Sequence, residues 1–216
     1  MAIKIEKILK EVYSKPGVKL IYGPAGSGKS LFCLLAIKLR KDKEGKIIYI
    51  DCQSSVFPYS RLKQILNSQD LDYIKESIFF IHPKSFYEQS RIIDNVSKLK
   101  DISIIIIDNI TYLYRLEKGG YGKAYNISKS LMKQIDTLAY ISNNLKIPIV
   151  ISGHIYSVPN ERSMKKFEIV GGQILRKKAV WQIELIESSS ERKVIIVQDG
   201  KKNEFLFRIT ENGIED

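Results

Sequence analysis

The chain of 216 residues is 44% hydrophobic and 27% charged, which excludes an intrinsically disordered chain and suits one α/β domain with its own core. No apolar run is long enough to cross a bilayer and no signal-peptide pattern follows Met1, so a cytoplasmic protein without a membrane partner is expected. The formal charge of +11, with a pI near 9.4, favours a polyanionic partner, nucleic acid first, yet a solvated lysine-rich surface has the same composition.

In chain order, Ile5, Ile8, Leu9, Val12 and Tyr13 fall at helical spacing and predict a short helix within residues 1–17, closed by Pro16-Gly17. Val18 to Tyr22 reads as a strand and Lys29 to Arg40 as a helix with Leu31, Leu34, Leu35 and Leu39 on one stripe. Lys46 to Asp51 is a second strand, ending in a carboxylate. Ser60 to Tyr73 holds one or two short helices, Ile78 to Ile81 a third strand and Ser85 to Lys98 a helix. The unbroken apolar run Ser103 to Ile107 marks a strand covered on both faces. Ala124 to Leu145 is the longest helix, with Ile127, Leu131, Ile135, Leu138 and Ile141 on one stripe, and Pro148 to Ser152 is another buried strand.

The pattern then changes. Ala179–Ile186, Lys193–Val197 and Glu204–Ile209 are strands joined by turn signals at Ser188-Ser189-Ser190 and Asp199-Gly200. The fold class is therefore α/β: a mainly parallel central sheet flanked by helices, with a C-terminal antiparallel β-meander extending one edge. Neither a repeat nor a linker interrupts it. Cys33 and Cys52 lack metal-ligand spacing and are expected to be reduced and buried.

Gly23, Pro24, Ala25, Gly26, Ser27, Gly28, Lys29 and Ser30 fit the phosphate-loop pattern G-x-x-x-x-G-K-[ST] in full. The glycines allow a tight turn and close approach to phosphate oxygens, and the helix that follows aims its first N–H groups at the anion. Lys29 supplies a positive charge for the β- and γ-phosphates, and the Ser30 hydroxyl is a magnesium ligand. The expected ligands are thus ATP and Mg2+. Asp108, closing the run Ile104–Ile107, is the expected second magnesium residue, acting through water.

These two motifs together with the meander resemble the RecA/RadA recombinase family. Tyr49-Ile50-Asp51-Cys52-Gln53 followed by Phe57-Pro58-Tyr59-Ser60-Arg61 is similar to that family's second strand and the segment after it. Ile149 to His154 resembles its strand ending in a γ-phosphate-sensing residue, and Gly171-Gly172 with Ala179–Leu185 resembles the end of its second DNA-binding loop and the next strand. The resemblance spans nearly the whole chain and implies a RecA-like P-loop ATPase core. The family's N-terminal DNA-binding domain and polymerisation motif are missing before the first strand. The likeness is therefore to the short archaeal RadA paralogs of the RadB/RadC type: one ATPase domain over 1–216, forming a monomer or small oligomer in place of a long filament.

Gln53 stands where the family places a catalytic glutamate. An amide orients water but accepts no proton as a carboxylate does, so tight ATP binding with weak, DNA-dependent hydrolysis is expected, with Gln53 and Lys29 as the catalytic pair. His154 is expected to contact the nucleotide. Two family loops that bind single-stranded DNA correspond to roughly 115–123, with Arg115, Lys118 and Lys123, and 156–173, with Arg162, Lys165, Lys166 and Phe167. Both mix cations, glycine and an aromatic ring, which suits phosphate tracking with base stacking.

The resemblance implies a DNA repair and recombination accessory protein, with single-stranded DNA and the main RadA recombinase as partners. A RecA-fold regulatory ATPase acting on protein partners, like the KaiC relatives, stays open. A small-molecule kinase is disfavoured by the meander and by the lack of a lid insertion.

Overall fold

The computed structural model describes residues 4–40, 43–66, 68–118, 124–158, 166–187 and 191–215. One ten-stranded sheet runs through it in the order β10-β9-β8-β7-β1-β5-β4-β2-β3, with β6 paired to β5 off this path. The strands β1 (Gly17–Gly23), β2 (Lys46–Asp51), β3 (Ile78–Ile81), β4 (Ile102–Asp108) and β5 (Pro148–Val158) are mutually parallel. The expected meander is present as β7 (Ala179–Glu187), β8 (Arg192–Gln198), β9 (Lys201–Thr210) and β10 (Gly213–Glu215). It joins the parallel part through β7, which lies parallel to β1, and then continues antiparallel. Asp199 and Gly200 carry φ of 48° and 77° between β8 and β9, the left-handed pair that a two-residue hairpin needs.

The apolar runs of the central strands follow from cover on both faces. Successive side chains leave a strand on opposite sides. Ile104 and Ile106 pack among α1 (Ile5–Ser14), α2 (Lys29–Lys38), α3 (Tyr59–Ile65) and α4 (Ser68–Ser77), whereas Ile105 and Ile107 pack among α5 (Phe86–Val96), α6 (Ile110–Lys118), α7 (Ala124–Leu145) and α8 (Gly172–Lys178). The stripe Ile127, Leu131, Ile135, Leu138 and Ile141 of α7 is buried as its spacing predicts.

Helix α2 departs from its predicted stripe. Every residue from Leu31 to Ile37 is buried, because α2 lies between the sheet and α1. Tyr13 of α1 donates its hydroxyl to Phe32 O at 3.1 Å, and Phe207 of β9 meets the Phe32 ring edge-on at 5.5 Å. A helix enclosed on all sides has no polar face to reveal its period.

The two expected DNA loops are more structured than sequence suggests. Arg115 and Lys118 sit in the last turn of α6, not in a loop. Asn109 starts that helix: its Oδ1 accepts the Thr111 N–H at 3.0 Å, the bond of an N-cap. In the second region β5 runs on to Val158, and Lys166 and Phe167 belong to β6 (Lys166–Ile169), pairing antiparallel with Val158 and Ser157. Helix α8 begins at Gly172, so the last two residues of the expected second loop are helical. Lys123, Arg162 and Lys165 lie outside the described residues. No helix among the described residues is long and apolar enough to cross a membrane.

Candidate nucleotide and nucleic-acid site

At the carboxyl ends of β1, β2, β4 and β5, a cavity of about 320 Å3 is lined by Ala25, Gly26, Gly28, Lys29 and Ser30 together with Gln53, Asp108, Asn109 and His154. The structure thus gathers the phosphate loop, the glutamine, the aspartate and the histidine that sequence assigned to one ligand. Gly23, Pro24 and Ser27 belong to the loop but do not line the cavity. The Lys29 ammonium, on a residue only 8% exposed, donates to Gly23 O at 3.0 Å and Pro24 O at 2.6 Å. Burial lowers its pKa, and Asp108 partly offsets that.

The loop fits an anion. Gly26 has φ of 79° and Gly28, the N-cap of α2, has φ of 102°, a conformation that side chains with a Cβ rarely adopt. A Cβ on Gly26 would meet nothing within 4 Å, so the loop opens onto free space. No side chain caps the first N–H groups of α2, and the backbone donors of a ten-residue helix face that space. The amide nitrogen of Asn109 is buried without a partner at the same cavity.

For magnesium, exposed Ser30 and the 7%-exposed Asp108 both line the cavity. Asp108 is held from behind: Ser152 donates to its Oδ1, and the buried Tyr49 hydroxyl donates to its Oδ2 at 3.2 Å. Its carboxylate therefore has a fixed orientation, as an outer-shell arrangement requires.

Asp51 has a role that sequence did not reveal. It stands opposite Asp108 in the sheet register, and its Oδ1 accepts the N–H of Gln53 at 2.8 Å and of Ser54 at 2.7 Å. Burial raises its pKa, against the lowering effect of those two bonds. Asp51 thereby fixes the backbone that carries Gln53. The only sequence signal was a carboxylate two residues before the glutamine, a spacing suited to an Asx-type turn.

A second, larger cavity of about 700 Å3 is lined by Tyr114, Arg115, Lys118, Tyr156, Gly171 and Gln173 among others. The two are linked through one residue. Asn109 Oδ1 accepts the Thr111 hydroxyl at 2.8 Å, and that hydroxyl accepts the His154 N–H at 3.0 Å. His154 O accepts the Val170 N–H at 2.8 Å, beside the second cavity. Burial, then the Lys29 and Arg115 charges, lower the His154 pKa against an opposing effect of Asp108.

Residues 2–216 match the model of the Rad51 family. The chain belongs to the Rad51 family. Within it, the chain is similar along its whole length to the DNA repair and recombination protein RadB of Methanococcus maripaludis strain C5, with 33% identity covering 98% of this chain and 96% of the relative. The RadB of Methanocaldococcus jannaschii is 30% identical, covering 98% of both chains. A crystal structure titled as the RadB recombinase superposes with a TM-score of 0.74 at 24% identity, covering 94% of this chain and 91% of that one, and so has the same fold. This Rad51-family member is thus a paralog of the archaeal RadB type, as the sequence reading expected.

Proposed function

We propose that this protein is an accessory factor of DNA repair by homologous recombination that binds ATP with magnesium, holds single-stranded DNA and modulates the main recombinase, RadA. The observation that carries this reading is His154, whose backbone joins the nucleotide cavity to the cavity lined by Arg115, Lys118, Tyr114 and Tyr156. The RadB relatives, named as DNA repair and recombination proteins, support the cellular role.

In this reading the Lys29 ammonium exchanges the carbonyls of Gly23 and Pro24 for phosphate oxygens. Ser30 and Asp108 would hold a magnesium ion, which would supply positive charge against the phosphate oxygens. Gln53, its backbone pinned by Asp51, orients the attacking water through its amide but takes no proton from it, so hydrolysis is slow. The exposed ring of Tyr156 receives a base while Arg115 and Lys118 meet phosphates.

The test is the salt-dependent binding of a labelled single strand with and without ATP. Replacing Arg115 and Lys118 with Ala is expected to weaken binding for every sequence and to reduce the log–log salt slope by about 1.4. An unchanged affinity and slope would overturn the assignment.

A further inference from the structure

The edge of the sheet opposite the phosphate loop carries charge that the nucleotide site does not use. Strands β2, β4 and β5 begin there, in segments bearing Lys43 and Lys46, Lys98 and Lys100, and Lys146. Neighbouring strands are spaced by about 4.8 Å, so the three adjacent starts span about 10 Å, and the five lysines lie in or just before them. Lys43, Lys98, Lys100 and Lys146 are exposed, and Lys46 is half-buried. Glu44 and Asp101 are the described carboxylates of the same segments, and none of the five lysines forms an ion pair with a carboxylate among the described residues.

The row stands on a stiff frame. Lys46 N donates to Asp101 O at 2.6 Å, tying the start of β2 to that of β4. Buried Ser142, near the end of α7, accepts the Gly17 N–H at 2.6 Å and donates to Ile147 O at 2.5 Å, tying β1 to β5. Lys146 itself has φ of 55° just beyond the end of α7. That position favours glycine or asparagine, because a Cβ is strained there. A cation therefore stands where the backbone would be more comfortable without a side chain.

We infer that this edge is a second nucleic-acid surface, one that grips the phosphodiester backbone of a duplex. A rigid row at fixed spacing suits a rigid polyanion, and a 10 Å length of duplex carries about six phosphates. Stacking surface, which a single strand would use, is scarce here: the exposed Phe79 ring already carries the Lys46 ammonium over its face at 6.0 Å. The inference does not depend on the single-strand assignment above, because it concerns the opposite edge of the sheet.

Binding of a 25-base-pair duplex of mixed sequence is measured across salt concentrations. Replacing Lys98 and Lys100 with Ala is expected to weaken it about 10–100-fold and to lower the log–log salt slope by about 2. Lys146→Gly lowers the slope by about 1 while Tm stays equal or rises, which separates lost binding from lost folding.

Three results would overturn the proposal. The first is duplex affinity insensitive to the three lysines while Tm falls, meaning that they only offset the negative ends of nearby helices. The second is duplex affinity that depends on Arg115 and Lys118 instead. The third is binding to phosphatidylserine vesicles with the same dependence on Lys98, Lys100 and Lys146 as the duplex. A single strand that fails to bind would refute the earlier assignment and leave this result readable.

Discussion

Two buried lysines sit near opposite ends of β1 and make similar bonds to different effect. Lys19 is fully buried, and its ammonium donates to Lys15 O and to Gly17 O, the latter at 2.9 Å. Lys29 also rests on two backbone carbonyls, those of Gly23 and Pro24. Burial lowers both pKa values. Only Lys29 opens onto a cavity, with helix N–H donors and Asp108 around it. One ammonium is a permanent plug for strand-entry carbonyls. The other borders open space, and that difference, more than burial or bonding, makes it the candidate functional cation.

Four measurements test that contrast and the site around it. The largest effect is expected beside Lys29, at Gln53: Gln53→Glu restores a general base and should raise multiple-turnover phosphate release by about 10²–10⁴. No increase would mean that the amide is not what limits turnover. Next, Lys29→Ala should weaken Mg·ATP binding by about 10–100-fold, since a hydrogen bond to a charged group contributes about 1.5–3 kcal/mol, and calorimetry reads this directly. Equal affinity would place Lys29 with Lys19 as a structural cation.

The third measurement concerns Lys19. Its folded-state pKa is lowered to about 7 from an ordinary 10.5, so between those values the unfolded chain binds the extra proton and stability rises with pH. Urea unfolding at pH 7 and pH 9.5 should show the wild type gaining on Lys19→Met by up to about 1.4 kcal/mol per pH unit. The sign is the decisive point: a gain at low pH would show that the carbonyls stabilise the ammonium more than burial penalises it. The smallest effect is expected at Arg61, whose guanidinium donates to Thr210 O at 2.7 Å and Glu211 O at 3.0 Å. On a partly exposed side chain, Arg61→Ala should cost about 1 kcal/mol in unfolding experiments.

What was legible in the sequence was local. The loop Gly23 to Ser30 carries its chemistry in consecutive residues, and Asp108 is marked by the apolar run before it. The stripe of α7 is legible because twenty-two residues give the helical period room to repeat. Helix α6 was not, since its nine residues give the period too little room and its Asn109 cap looks like any turn residue. Strand β6 exists only because β5 continues past the sheet and offers an edge, a condition set by tertiary structure. The hold of Asp51 on Gln53 and the path Asn109–Thr111–His154 depend in the same way on chain direction after a strand ends. Sequence named the groups that line the cavity and missed the groups that hold them in place.

The walls of the phosphate loop come from the far end of the chain. A Cβ on Gly23 would lie 2.5 Å from Leu185 O, and one on Gly28 would lie 3.1 Å from the Ile209 Cδ1. On a ribosome the loop emerges among the first thirty residues, yet the strands that press against it arrive almost last. The nascent chain carries its phosphate motif long before it can shape the cradle around it. In the proposed reading, nucleotide affinity is therefore a late event in this protein's synthesis, because the meander must dock before the loop has its walls.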